Sequence, residues 1–465
     1  MTRTMYVKCI VLALATMAPS CGAFDRAPLP PEGQIVLGVA TDAWLPRGAG
    51  EPYEPVERNA LFERLRIELF APGETEPCNE CLRDFGVDHR TLNEGKASVG
   101  FVPKPGVSGY RARLRLYHSG ASESAAEPRD SSSILTVVAL PVVSADGEID
   151  VHVTLRTDDV SRPRGTLDAP ALVEDGPAPT GLAGTWHREL ARGCAAPAGA
   201  GEACVPGGAY WMGDPGFADP FERLVALSPF YLDQHETTVA EVRASGLSFI
   251  DRVAVKADPY VHSVDPTKAN YFCTYTESPG ELEAYPATCS SRDLAIKVCA
   301  KRGRVLPSEA QFEFVAGARR DATFPWGEAT PTCTDAIFGR SYDVSAPSPF
   351  RMCRGFGEGA AKSGSGALDR LRMPDGNEIV DIAGNVSEWA SDEWQESAEP
   401  CLQVNPALDP VCRQKSVLAS DRVSVRGNPW TDPGGPFLRA AVRQSAAAAV
   451  PQNPRIGFRC ARPAD

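Results

Sequence analysis

Asp381-Ile382-Ala383-Gly384-Asn385-Val386-Ser387-Glu388-Trp389 is the stretch from which the rest of the chain is best read. Gly-Asn is a strong turn former, because both residues accept the left-handed backbone that other side chains avoid. The plain reading is a turn at Gly384-Asn385 with Trp389 in a core. Asp392, Glu393 and Glu396 follow closely, and an acidic run of this kind reads as a solvated face.

Around this turn lies a chain of 465 residues, 43% hydrophobic and 23% charged, which is the balance of two or three globular domains and excludes wholesale disorder. Lys and Arg number 47 against 60 Asp and Glu, a net charge of −13 that leaves no basic field for nucleic acid or an anionic membrane. Fourteen Cys with six His, 41 Gly and 41 Pro indicate a loop-rich protein of an oxidising compartment. The amino terminus agrees. Residues 1–20 carry Arg3 and Lys8 before a short apolar run from Cys9 to Ala18, the pattern of a secretory signal, and Ala18-Pro19-Ser20-Cys21-Gly22 resembles a bacterial lipobox with Ala18 in place of the usual Leu. Lipidation at Cys21 leaves an even set of twelve cysteines free to pair once Cys9 is removed. The expected location is the bacterial cell envelope, anchored by lipid in the outer membrane or periplasm, and otherwise secreted.

Residues 30–157 alternate apolar and polar with period two, as in Leu65, Ile67, Leu69 against Arg64, Arg66, Glu68 and in Ala112, Leu114, Leu116 against Arg111, Arg113, Arg115. Ile149, Val151, Val153 and Leu155 repeat the pattern after the Ala145-Asp146-Gly147 turn. This predicts a small all-β, antiparallel sandwich. Cys78 and Cys81 admit a redox or metal-binding reading, but with no second Cys pair or convergent His nearby a local disulfide is the better one. Residues 158–193, rich in Pro, Gly and Ala, have the composition of a linker. Residues 194–465 form a larger, irregular domain with two helical stretches: Ser290 to Lys301, and one opened by the capping box Ser308-Glu309-Ala310-Gln311.

Five ordered stretches of this domain carry a family resemblance. Cys204-Val205-Pro206-Gly207-Gly208-Ala209-Tyr210-Trp211-Met212-Gly213 with Phe230-Tyr231-Leu232-Asp233 and His235-Glu236-Thr237-Thr238 resembles the opening of the sulfatase-modifying-factor, or formylglycine-generating enzyme, domain. Arg304-Val305-Leu306-Pro307-Ser308-Glu309-Ala310-Gln311-Phe312-Glu313 is similar to its RLPTEAEWE segment, Phe324-Pro325-Trp326-Gly327 to its YPWG, residues 381–389 to its DLAGNVWEW, and Ile456-Gly457-Phe458-Arg459-Cys460 to its terminal GFRC. The resemblance implies an α+β, C-type-lectin-like fold and a bond between Cys299 and Cys460. Proximity suggests Cys194 with Cys204, Cys273 with Cys289, Cys333 with Cys353, and Cys401 with Cys412, although spacing alone does not settle connectivity.

The family's active members oxidise a sulfatase cysteine through two cysteines that hold copper(I), a soft ion suited to thiolates. Counted back from Arg443, those positions fall at Trp430 and Gly435, so no copper is expected. A related branch holds non-haem iron through histidines; His187, His235 and His262 are a thin supply, which disfavours iron. The resemblance also implies structural calcium near the turn, on Asn385, Glu388 and the carbonyls of Gly384 and Val386. Arg439 and Arg443, with Trp430, are candidates for a ligand groove, against the alternative that such arginines are buried in ion pairs. Trp430 and Phe437 either fill the former cleft or offer a stacking surface. The resulting expectation is an exported lipoprotein with a non-catalytic module that binds a protein or glycan; the alternative is a metal-dependent oxidoreductase acting on an exported protein.

Overall fold

The computed structural model describes residues 33–52, 56, 58–78, 80–118, 128–214, 221–247, 271–276, 278–448 and 453–464. The signal segment, the lipidation position Cys21 and His262 lie outside the described residues.

Period-two alternation in the N-terminal part produces two facing sheets. One has the order Ser98–Phe101, Gln34–Thr41, Glu148–Leu155, Glu174–Asp175; the other has the order Leu82–Gly86, Arg64–Phe70, Arg111–Tyr117, Ser133–Ala139, Ala171–Leu172. In the second sheet Leu65 pairs with Leu116 and Ile67 with Leu114, so the apolar sets share the inner face. The arginines between them pair on the other face, where Arg113 meets Glu68 at 2.5 Å and Arg66 meets Asp84 at 3.0 Å. The pairing is not antiparallel throughout: Gln34–Thr41 runs parallel to Glu148–Leu155 along its whole length, and Ala171–Leu172 runs parallel to Ser133–Ala139. Alternation specifies which face a side chain takes and carries no information on strand direction, which is why the expectation failed there.

The segment expected to be a linker is packed. Ala171–Leu172 and Glu174–Asp175 extend one sheet each, and Val160, Ala178, Ala183 and Trp186 are buried. Trp44 donates its indole N–H to the Trp186 carbonyl at 2.5 Å, while Trp186 donates to Asp158 Oδ1 at 2.9 Å. Pro and Gly suit a chain running extended along sheet edges as well as they suit a free tether, so composition did not distinguish the two. The sandwich core continues into the next unit through Ala209, Trp211, Leu224 and Ala226. Trp211 donates to the Leu61 carbonyl at 2.8 Å and meets the Phe62 ring edge-on at 5.6 Å. His118 bridges the units through Glu63 at 3.2 Å and Asp321 at 3.3 Å. Burial opposes charge on this ring, but the hydrogen bonds to Asp321 and Glu63 prevail and lift it to about 10.

The C-terminal unit is built from short sheets and loops. The sheet Glu202–Val205, Phe230–Asp233, Ala461–Pro463 brings the end of the chain against the start of the unit; the sheet Gln444–Ala447, Arg422–Arg426, Ser387–Glu393, Ile456–Gly457 lies beyond the turn. Ser291 caps the helix Arg292–Lys301, whose Ala295, Val298 and Cys299 are buried. Ser308 and Gln311 exchange both arms of the expected capping box at the head of Glu309–Ala316. A further helix, Val239–Ala244, was not anticipated, although Thr238 and Glu241 form a second capping box whose spacing was present to be read. The disulfides are Cys78–Cys81, Cys194–Cys204, Cys273–Cys289, Cys299–Cys460, Cys333–Cys353 and Cys401–Cys412. All the described cysteines are therefore in the oxidised, bonded state.

Candidate functional site

The 381–389 turn is buried and heavily charged. Asp381 and Asn385 take left-handed backbone with φ of +53° and +69°, and a Cβ on Gly384 would lie 2.7 Å from the Ile337 carbonyl oxygen. Asp369 holds the turn from below, accepting the backbone N–H groups of Ile382, Ala383 and Gly384 at 3.1, 3.0 and 2.7 Å. Trp389 is fully buried and donates to the Ser290 carbonyl at 3.0 Å, so the core reading of this residue is the right one. Arg459, also fully buried, donates to Glu388 from Nε at 2.8 Å and from Nη2 at 2.7 Å, and to the Asp381 carbonyl at 2.9 Å. Around this guanidinium stand the carboxyls of Glu236, Asp369, Asp381 and Glu388. Burial pushes all four upward: Glu236 well above the ordinary range, with the Asp381 charge adding to it, and Asp381 to about 7, with Asp369 adding to it.

The calcium assignment does not fit these side chains. Both Glu388 oxygens are taken by Arg459, the Asn385 amide oxygen accepts from Ala361 N at 2.8 Å, and its amide nitrogen faces Glu236 Oε1 at 3.0 Å. Calcium requires six to eight oxygens with lone pairs directed at it, and Gly384, Asn385, Val386 and Glu388 do not present that set. No group of three or more His, Cys, Asp or Glu placed to hold a metal is found among the described residues. His235 points its Nδ1 at the Glu236 carbonyl at 2.8 Å.

Asp381 yields a test. Its pKa is about 7 in the folded chain and near 3.9 unfolded, so the stability it supports is complete below about pH 4 and is lost as pH rises through 7. Asp381→Asn, neutral at every pH and tolerant of the left-handed backbone, is expected to be more stable than the wild type at pH 8 by about 2 kcal/mol and to show a flatter pH profile. Urea unfolding at pH 5 and pH 8 measures this; parallel profiles for the two proteins would contradict it.

Trp430 fills the position where the resemblance puts the first copper cysteine. It is fully buried on Ile337, Ala360 and Val386, receives no thiol, and donates to the Pro454 carbonyl at 3.1 Å. Its ring lies 5.0 Å from Phe272, which lies 4.7 Å from Tyr342, a stack running from the core to the surface. Gly435, the second position, opens a single turn of 3-10 helix, Gly435–Leu438, with φ of +66°. The expected Arg439, Arg443 and Trp430 groove is not formed. The Arg443 side chain is 3% exposed, bound to Glu309 at 2.7 Å and stacked 4.5 Å over Trp394, while Arg439 pairs with Asp214. Ion pairing with a buried side chain thus accounts for Arg443, as its alternative reading allowed, while Arg439 is paired with its side chain 36% exposed. The acidic run after Trp389 also needs correction: Asp392 is buried, accepts from Glu309 N at 2.9 Å and Cys412 N at 2.7 Å, and is raised to about 6 by burial and the Glu309 charge. Glu309 itself, despite its burial, is held at about 2 by Arg443 and Arg426.

Glu236, Asp369, Phe272, Tyr342 and Arg340 escaped the sequence reading. Only Glu236 had a local signal, through its place in the His235-Glu236-Thr237-Thr238 motif; the others meet through contacts distant in sequence. Elsewhere among the described residues stand a cavity of about 470 Å³ beside Trp44, Arg58 and His89 in the sandwich and another of about 360 Å³ between Arg129, Glu222, Arg223 and Gln403 where the units meet.

Short sheets stapled by long-range bonds, a buried arginine under a Gly-Asn turn and an α+β composition define a domain of the formylglycine-generating-enzyme type. Residues 189–464 match the Sulfatase-modifying factor enzyme 1-like domain, and the chain belongs to that family. It is 26% identical over 242 residues to the formylglycine-generating enzyme of Thermomonospora curvata, covering 44% of this chain and 77% of that one. Against the Bos taurus formylglycine-generating enzyme the identity is 23% over 288 residues, covering 55% and 73%. PvdO from Pseudomonas aeruginosa matches in structure with a TM-score of 0.38 and 21% identity, over 56% of this chain and 94% of PvdO.

Proposed function

We propose that the C-terminal unit is a non-catalytic binding module of an exported protein, in which a formylglycine-generating-enzyme scaffold has lost its copper cysteines. The observation that carries this reading is Trp430, sealed into an aromatic stack where a copper thiolate would stand, with every described cysteine already in a disulfide. Copper(I) ligation needs free thiolates, and a disulfide sulfur does not supply one. The buried ion pairs and disulfides then serve to hold irregular loops in register, so that the surface they make can recognise an exported protein.

The test is oxidation of a sulfatase-type cysteine peptide by the purified mature chain, supplied with copper(I) and oxygen and followed by peptide mass. No formylglycine is expected, and neither copper nor iron should remain at one equivalent per chain after dialysis. Formylglycine above the no-enzyme control would refute the reading and favour a metal-dependent oxidoreductase.

A further inference from the structure

The cations set into the C-terminal unit include the fully buried Arg459 on Glu388 and Arg426 on Glu309 and Glu313, and the half-buried Arg443 on Glu309 and Arg304 on Glu202 and Asp233. Arg340 differs. It is 8% exposed, its Nε has no hydrogen-bond partner, and no carboxylate approaches its guanidinium among the described residues. Arg223 is the nearest comparison, 5% exposed with an unpartnered Nε and no ion pair among the described residues, but its guanidinium donates to the Cys401 carbonyl at 2.7 Å; Arg319 is less buried and lies over the Phe314 ring. A buried charge without a counter-ion is costly, and the usual resolution is a partner that pairs with it.

The surroundings of Arg340 indicate what that partner is. The backbone N–H of Arg340 donates to the Trp430 carbonyl at 2.8 Å, placing it at the root of the Trp430, Phe272, Tyr342 stack. Gly357, with φ of +131°, leaves open the space beside its guanidinium, where a Cβ would lie 3.4 Å from Nη1. The loops framing it leave large apolar side chains in solvent: Tyr342 at 49%, Val344 at 71%, Met352 at 57% and Phe356 at 57% exposed. They also reverse the sign of the chain's charge, with Arg340, Arg351, Arg354 and Lys362 against Asp343 and Glu358 in a protein of net charge −13. An apolar rim around a guanidinium suits a carboxylate carried between apolar side chains, which is a peptide rather than a sugar.

From this we infer that Arg340 is the anchor of a peptide-binding site that takes an acidic residue flanked by apolar ones. The inference rests on the binding-module reading above and names its ligand class. The guanidinium pairs with the carboxylate, and Tyr342, Met352 and Phe356 cover the flanking side chains.

The experiment is calorimetric titration of the mature chain with N-acetyl-Leu-Glu-Phe-amide and its Gln analogue, up to millimolar peptide. The Glu peptide is expected to bind about tenfold tighter, as loss of one charge-assisted pair would give, and Arg340→Gln should abolish that preference while Arg340→Lys retains part of it. Arg340→Met should leave the Tm unchanged or higher, since it removes an unpaired buried charge, whereas a merely structural arginine would lower it. The site is overturned by equal binding of the two peptides, by no binding of either, by a preference that survives Arg340→Gln, or by Arg340-dependent binding of glucuronate or sulfate with the peptides inert. Formylglycine formation has its own readout, so the binding-module reading and the Arg340 site fail separately.

Discussion

Arg459→Met is expected to destabilise the protein by about 3–5 kcal/mol, the largest effect of any single substitution in the C-terminal unit. The guanidinium is fully buried and serves Glu388, the carbonyls of Val380 and Asp381, and the field of Glu236 and Asp381 together. Methionine fills much of the volume, so the loss reports charge rather than a cavity. Removing the arginine leaves Glu388 buried without a counter-ion, which costs far more than the pair contributes when intact. Glu388→Gln in the Arg459→Met background should therefore recover part of the loss, and urea unfolding at pH 7 would show non-additivity of about 1–3 kcal/mol. If the two substitutions add, Arg459 stabilises by packing alone and the account of the cluster is wrong.

Replacing Cys299 and Cys460 together by Ala is expected to cost about 4–5 kcal/mol in the chain-entropy account. The cysteines are separated by 161 residues, so the bond closes a loop that takes in the turn, Trp430 and the whole sheet Gln444–Ala447, Arg422–Arg426, Ser387–Glu393, Ile456–Gly457. The Cys273–Cys289 bond closes only 16 residues, and its removal should cost less, about 3 kcal/mol. Thermal unfolding of the two double variants under non-reducing conditions gives the comparison. Equal losses would mean that local packing, not loop closure, sets the contribution of these bonds.

How far the fold could be read in advance follows the range of the forces involved. Leu65, Ile67 and Leu69 face inward because a pleated strand alternates its side chains, and Ser308 and Gln311 cap a helix through bonds three residues apart. Cys194 and Cys204, ten residues apart, were matched by proximity and are joined. The segment 158–193 could not be read this way, since its role depends on two sheet edges that composition does not describe. The site was harder still. Asn385 and Glu388 carry the oxygens calcium prefers, and only the contacts of Glu388 with Arg459, 71 residues away, and of Asn385 with Ala361, 24 residues away, show that those oxygens are already in use.

By itself, the sequence determined what depends on composition, local spacing and ordered motifs: an acidic, cysteine-rich chain, an alternating N-terminal part, and a C-terminal domain of the sulfatase-modifying-factor type. Only the tertiary structure decided which charges are paired. It set Arg443 on Glu309, closed Arg459 on Glu388 and left the Arg340 guanidinium without a carboxylate partner among the described residues, because the energy of a buried ion depends on which groups the folded chain brings within a few ångströms of it, and the carboxylates that pair with Arg443 and Arg459 come from 71 or more residues away.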